Sequence, residues 1–373
     1  MAVHSTLPSR TPTPTSTPQP ILVIGVEATP PPCTIASVLA TWTLTRLAQQ
    51  TIVVPVDESN VLLVRAQVAA GAGGVILFGA SAPGNLGAAL QALNAAAPDG
   101  IKPFIMTDEE GGVVQRMANL VGSIPSPRQM GATMNPAQIQ QLATGLAQRM
   151  RANGITMDLA PVLDVDGGVG PNTVNADGTR SFSANATVAS TDGVAFAQGL
   201  LAGGITPVVK HFPGLGGTYG NTDVTAAATP PWSVLQSGGL LPFQAAAAAH
   251  LPAVMIANAS VPGLTTLPAS LSPEVITGVL RGRLGFEGLV ITDSLSAVAI
   301  SSAGYSVPQA TVAALRAGAD MVLYTAAASQ VPALTNATVA AIVAAVDAGT
   351  LNRSVLESAV GRVLAAKGVS LCA

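Results

Sequence analysis

Charge is scarce in this chain, with 16 Lys+Arg, 19 Asp+Glu and three His among 373 residues, so places where charged side chains gather are informative. The most informative spans residues 207 to 223. There an apolar run ends in Lys210-His211, continues through Phe212-Pro213-Gly214, and enters a Gly-rich loop that reaches Asn221-Thr222-Asp223. Other groups are Asp108-Glu109-Glu110 with Arg116, Asp164 with Asp166, Arg180, Asn258 and Asp293. Carboxylates accept hydrogen bonds from vicinal hydroxyls, whereas Lys and Arg donate without deprotonating near neutrality. A ring of both kinds around an apolar mouth suits a polyhydroxylated ligand, whose hydroxyls need donors and acceptors at fixed positions.

Other chemistries fit these residues less well. His211 has no second His or Cys at ligand spacing, so no metal centre is expected. There is no G-x-S-x-G elbow for a serine nucleophile, and the loop from Gly214 to Gly217 reads as a flexible lid rather than a phosphate cradle. No cofactor is implied. A net charge of −3 and the lack of any Lys/Arg cluster argue against a nucleic-acid or polybasic membrane surface. The charge-poor stretch from Val224 to Pro273 is broken by Pro and Gly and is no transmembrane segment.

These residues need a scaffold, and the apolar runs supply one. Runs recur at 52–56, 75–79, 104–107, 155–163, 207–210, 253–257, 289–292 and 321–324, apolar on both faces as parallel strands covered by helices should be. Helical patterns fill most gaps. Asn135-Pro136 opens one with Ile139, Leu142, Ala143, Leu146 and Met150 as its stripe and Gly154 at its end; Ser272-Pro273 and Ser306 to Pro308 open two more, and 339–348 and 355–366 complete the set. Eightfold alternation predicts an α/β fold, a single-domain (β/α)8 TIM-type barrel over residues 21–373. The competing open doubly wound sheet lacks its G-x-G-x-x-G fingerprint. In a barrel the residues just past the C-terminal strand ends face the site, which selects the groups above and leaves Asp320 and Glu287 as structural. Residues 1–20 read as a disordered Ser/Thr/Pro-rich leader, and Ile21–Ile24 as a run outside the barrel. Cys33 and Cys372 are either two buried thiols or a disulfide joining the ends of the folded portion.

Six ordered motifs resemble glycoside hydrolase family 3: Asp108-Glu109-Glu110-Gly111-Gly112 with Arg116, Leu159 to Asp164, Arg180-Ser181-Phe182, Lys210 to Gly214, Pro268 to Ser272, and Ile291-Thr292-Asp293. The likeness runs from about residue 40 to 367 and is nearest the single-domain β-N-acetylhexosaminidase branch. It implies a retaining β-glycosidase acting on N-acetylglucosamine-containing, cell-wall or chitin-type carbohydrate, with Asp293 as nucleophile. It also implies that Asp108, Arg116, Arg180, Lys210 and His211 hold the nonreducing sugar, with Asp164 joining them; for Asp164 and Arg180 a loop-bracing role stands beside direct sugar contact. Glu109 and Glu110 are read as supporting ion pairs. An enzyme of this kind is expected outside the cytoplasm.

One element departs from the family pattern. Where the branch carries an Asp-x-His dyad as acid/base, this chain has Asn221-Thr222-Asp223. His4 lies in the leader and His250 on the approach to the sixth run, away from the chemistry. Asp223 is therefore the candidate acid/base, since a retaining mechanism needs a carboxyl about 5–5.5 Å from the nucleophile. To deliver a proton near neutrality it needs shielding from water or the neighbouring Asp293 carboxylate. The alternative is a barrel that binds such a sugar without turning it over.

Overall fold

Side chains alternate along each apolar run, and in the computed structural model the two faces of the runs build two separate cores. The structure describes residues 1–4 and 34–372; Ile21–Ile24 and Cys33, with its expected alternatives of thiol or disulfide, lie outside them. The eight strands are β1 Ile52–Asp57, β2 Gly74–Phe78, β3 Phe104–Thr107, β4 Met157–Asp158, β5 Thr206–Phe212, β6 Ala253–Ile256, β7 Leu289–Thr292 and β8 Val322–Leu323. All pair in parallel in the order β8-β1-β2-β3-β4-β5-β6-β7, and a bridge from Ile291 to Met321 joins the last strand to the first. The result is the (β/α)8 barrel expected from the sequence.

Inward positions form one core: Val53, Ile76, Phe104, Met106, Met157, Leu159, Val208, Met255, Leu289, Ile291 and Met321 pack across the barrel axis. Outward positions such as Val54, Val75, Ile105, Val209, Ile256 and Val290 meet the helices in a second, larger core. Gly74 fits the crowded interior because a Cβ there would stand 2.7 Å from Met106 Cε. With both faces of each strand dry, the barrel is a filled scaffold, and chemistry is confined to its ends.

Two elements differ from the sequence reading. Of the 155–163 run only Met157–Asp158 is regular strand, because Pro161 has no N–H for the ladder; contact with β5 continues through Val208 N to Ala160 O and Lys210 N to Pro161 O, both 3.1 Å, and Leu163 N to Lys210 O at 2.6 Å. The helix expected from Val339 starts eight residues earlier and spans Val331–Asp347 with Pro332 in its first turn. Its Thr335-Asn336-Ala337-Thr338 stretch looks like loop by propensity, but Thr335 and Thr338 are buried and donate to the carbonyls of Val331 and Leu334. Elsewhere the caps act as expected: Asn135 and Gln138 form a capping box on Pro136–Ala152, and Ser306 with Gln309 does the same on Val307–Ala317. Glu274–Arg283, following Ser272-Pro273, winds as a π-helix. Asp320 is buried and pairs with Arg281 and Arg362 at 2.7 Å each, as a structural residue should. Among the described residues no helix is long and apolar enough to cross a membrane.

Candidate active site

A cavity of about 460 Å³ opens at the C-terminal end of the strands, lined by Asp108, Glu110, Arg116, Arg180, Lys210, His211, Asn221, Thr222, Asp223 and Asp293 over an apolar floor that includes Ile76, Leu159 and Met255. Strand β5 contributes two adjacent residues to it, which a regular strand cannot do because neighbours point to opposite faces. The register explains this. Val209 pairs with Val254 but Phe212 pairs with Ile256, so the extra residue forms a bulge. Val208 and Lys210 face inward, His211 also turns to the mouth, and Phe212 packs outward, edge to face with Phe243 at 5.4 Å. The Lys210–His211 peptide is cis.

Lys210 Nζ lies 2.8 Å from Asp108 Oδ1 and 2.7 Å from Glu110 Oε1. Glu110 also takes a two-pronged bond from Arg180, Nε to Oε2 and Nη2 to Oε1, both 2.8 Å. Burial opposes the charge on Glu110, but Arg180 and Lys210 outweigh it and hold the carboxyl well below the usual range. Burial likewise works against the Lys210 ammonium, yet Asp108 and Glu110 keep its pKa above the ordinary lysine value. Arg116 is held more loosely, 3.6 Å from Asp108 Oδ2 and 5.6 Å from the Phe78 ring, and its buried Nε has no protein partner. It thus keeps donor capacity for a ligand. Glu109 points away from the cavity: it accepts from Met117 N at 2.6 Å and Gln115 Nε2 at 2.9 Å, which fixes the hairpin after β3, and burial raises its pKa to about 6.

Asp164 lies behind this layer. It is fully buried, does not line the cavity, and accepts from the backbone N–H groups of Leu215 at 2.5 Å and His211 at 3.2 Å, and from His211 Nδ1 at 2.6 Å. Of the two expected places for Asp164, this geometry fits the bracing one, because its oxygens are already engaged by protein donors. Burial lowers the His211 pKa to about 4, with Arg180 adding to the effect, so the imidazole is neutral with Nε2 left for the cavity. Asp177, which nothing in the sequence pattern singled out, completes this layer. Asp164, Asp177 and His211 each bring one ligand-type atom within 4.8 Å of the others. The 2.6 Å contact between His211 Nδ1 and Asp164 Oδ2 is a hydrogen-bond distance, shorter than the roughly 3.4 Å that separates two ligand atoms on a tetrahedral zinc with bonds of about 2.1 Å.

Asp293 follows β7. Ser294 N donates to its Oδ1 at 2.7 Å, and Asn258 steadies this turn by donating from Nδ2 to Ser294 O at 2.7 Å while accepting from Ser270 Oγ. The Pro268 to Ser272 motif thereby serves the strand-seven turn. Burial raises the Asp293 pKa and the Asp223 carboxylate adds to the rise, while His211, Ser294 N–H and Lys210 oppose it. Asp223 itself sits exposed at the rim on the loop after β5, its N–H bonded to Asn221 Oδ1 at 3.0 Å; Asn221 Nδ2 in turn donates to Asn172 O at 3.1 Å.

A filled (β/α)8 barrel with carboxyls and cations converging at its C-terminal mouth is suited to binding a polyhydroxylated ligand. The profile described as the N-terminal domain of glycosyl hydrolase family 3 matches residues 50–366, and the chain belongs to that family. A protein named beta-hexosaminidase LpqI from Mycobacterium tuberculosis is 36% identical over 270 residues, which are 71% of this chain and 68% of that one. The solved structure of M. tuberculosis LpqI superposes with a TM-score of 0.80 at 32% identity, covering 91% of this chain and 99% of that one. A β-N-acetylhexosaminidase structure from Beutenbergia cavernae does so at 0.79 and 32%, covering 88% and 100%.

Proposed function

We propose that this chain is a retaining β-N-acetylhexosaminidase that removes a nonreducing N-acetylglucosamine from cell-wall or chitin-type glycosides, with Asp293 as nucleophile and Asp223 as acid/base. The observation that carries it is the meeting of these two carboxyls in one cavity with the Asp108, Arg116, Arg180, Lys210 and His211 side chains. Asp293 forms a bond to the anomeric carbon as the glycosidic C–O bond breaks, and Asp223 gives its proton to the departing oxygen. Water then attacks the same carbon, Asp223 takes the water's proton, and the Asp293 ester is released. The position of Asp223 at the rim suits a group that must meet the leaving alcohol and then water. The relatives' printed names support the choice of sugar, and the Ser/Thr/Pro composition of residues 1–20 supports a place outside the cytoplasm.

The test is Asp223→Ala against two substrates. An activated aryl glycoside needs no proton on its leaving group, so it should retain far more activity than a chitobiose-type disaccharide; equal loss on both would remove Asp223 from the role. A second reading, a barrel that binds sugar without turnover, is favoured by the exposure of Asp223 where the branch places a histidine. Calorimetric binding of N-acetylglucosamine with no hydrolysis of aryl glycosides would establish it.

A further inference from the structure

The loop between β4 and the helix Ala186–Ala202 is built around Asp177. Asp166 Oδ2 accepts from Gly178 N at 2.8 Å and Asn175 Nδ2 at 2.9 Å, Asn175 Oδ1 accepts from Asp177 N at 2.9 Å, and Arg128 Nη2 donates to the carbonyls of Asp166 and Gly178. Gly178 has φ +54°, and a Cβ there would fall 2.1 Å from the backbone of Gly170, so the turn admits only glycine. This framework drives the Asp177 side chain inward to 1% exposure, beside Asp164 and His211, with Oδ1 lacking any hydrogen-bond partner.

Two carboxyls this close and this buried cannot both ionise, so one proton stays on the pair. Burial raises the Asp164 pKa to about 7, but N–H bonds from Leu215 and His211 favour its charged form, whereas Asp177 Oδ1 receives none. The proton therefore belongs on Asp177. Burial, reinforced by Asp164, pushes the Asp177 pKa well above the usual aspartate value, in keeping with this. We propose that Asp177 is a positioning residue for His211: as a neutral acid it donates to Asp164, leaving Asp164 as the single negative charge that locks His211 in its Nδ1–H tautomer with Nε2 as an acceptor toward the sugar. The charged and titratable groups facing Asp177 are Asp164, His211, Arg180 and Asp166, with Asp293 and Lys210 beyond the imidazole. Asp177 makes no contact with substrate in this scheme; it acts through Asp164.

The chain has three histidines, so ¹⁵N-histidine NMR gives three sets of ring signals, and a His211→Gln spectrum assigns the one that belongs to His211. The full chain and its Asp177→Asn and Asp177→Ala variants are compared at pH 7. Asn keeps the shape and an N–H donor and should preserve the Nδ1–H signature and most of kcat/KM; Ala should give mixed tautomers and a loss on the order of 10²-fold, as for a small misplacement of a binding group. The infrared difference between wild type and Asp177→Asn should contain a protonated-carboxyl band that only the wild type has, which keeps the test decisive if the Ala variant fails to fold. Unchanged His211 resonances in Asp177→Ala, an Asn variant as impaired as the Ala variant, or absence of that band would each overturn the proposal. The kinetic arm rests on the glycosidase reading, but the NMR and infrared arms need no turnover, so the two fail separately.

Discussion

Replacing Glu110 by glutamine changes one charge and almost no volume, at the point where Lys210 and Arg180 converge. Glu110 is 1% exposed, and its two oxygens accept from Lys210 Nζ at 2.7 Å and from Arg180 Nη2 and Nε at 2.8 Å. Glutamine offers one acceptor oxygen and turns an amide donor toward a second donor, so two cations lose their shared counter-charge while staying buried. Removing one partner of a buried pair costs about 3–5 kcal/mol. At about 2 °C per kcal/mol for a domain of this size, the melting temperature should fall by roughly 6–10 °C at pH 7. Arg180 and Lys210 both line the cavity, so kcat/KM should fall on the order of 10²-fold as well. The pH dependence has a definite sign. The folded-state pKa of Glu110 lies below the unfolded value near ~4.3, so its stabilisation is complete above that pH and is lost as pH falls through the folded value. The gap in melting temperature between wild type and Glu110→Gln should therefore be full at pH 7 and shrink in strong acid. Calorimetry across that range with kinetics at pH 7 checks this, and a variant with unchanged melting temperature and unchanged kcat/KM would refute the account of the cluster.

Two further outcomes follow from the charged groups. Asp293→Asn should abolish turnover yet raise the melting temperature at neutral pH: the folded pKa is raised, so ionising Asp293 costs stability as pH rises through it, and asparagine removes that cost; a less stable Asn variant would count against a strained nucleophile. At the opposite end of the barrel, burial lowers the Lys367 pKa to about 7, with one hydrogen bond to Gln50 Oε1 at 3.1 Å and the Phe104 ring 5.5 Å away. A lowered lysine pKa destabilises below the unfolded value, so wild-type stability should climb between about pH 8 and 10 by an amount that Lys367→Met lacks; parallel denaturation curves for the two proteins would show that the ammonium is solvated.

The sequence makes the barrel legible because parallel strands covered on both faces must be apolar at every position, and eight such runs with helical patterns in most of the gaps leave few alternatives. The charged residues past their C-terminal ends then sort themselves by topology, and Asp108, Arg116, Arg180, Lys210, His211, Asp223 and Asp293 do meet in one cavity. What resists reading depends on contacts distant in sequence. Glu110 looks no different from Glu109 until the backbone sends one toward Arg180, 70 residues on, and the other toward Met117. Asp177 sits in a Gly- and Asn-rich stretch whose composition says only turn, and its burial comes from Asp166 and Arg128 folding that turn inward. Asp164 lies at a strand end, where topology points to the ligand, but the neighbouring amides of Leu215 and His211 claim its oxygens first.

The bulge on β5 puts the cavity-lining Lys210 and His211 on the barrel itself, while Asp223 hangs on a loop whose return is pinned by Tyr219 pairing with Ala228 and Thr229 N donating to Ser260 O. On the proposed mechanism, recognition and proton delivery are thus carried by separable pieces of chain. A lineage can exchange the proton donor by drift in one surface loop without relearning its sugar, and an engineer can graft a histidine-bearing loop between Gly214 and Ala228 while leaving the strand untouched.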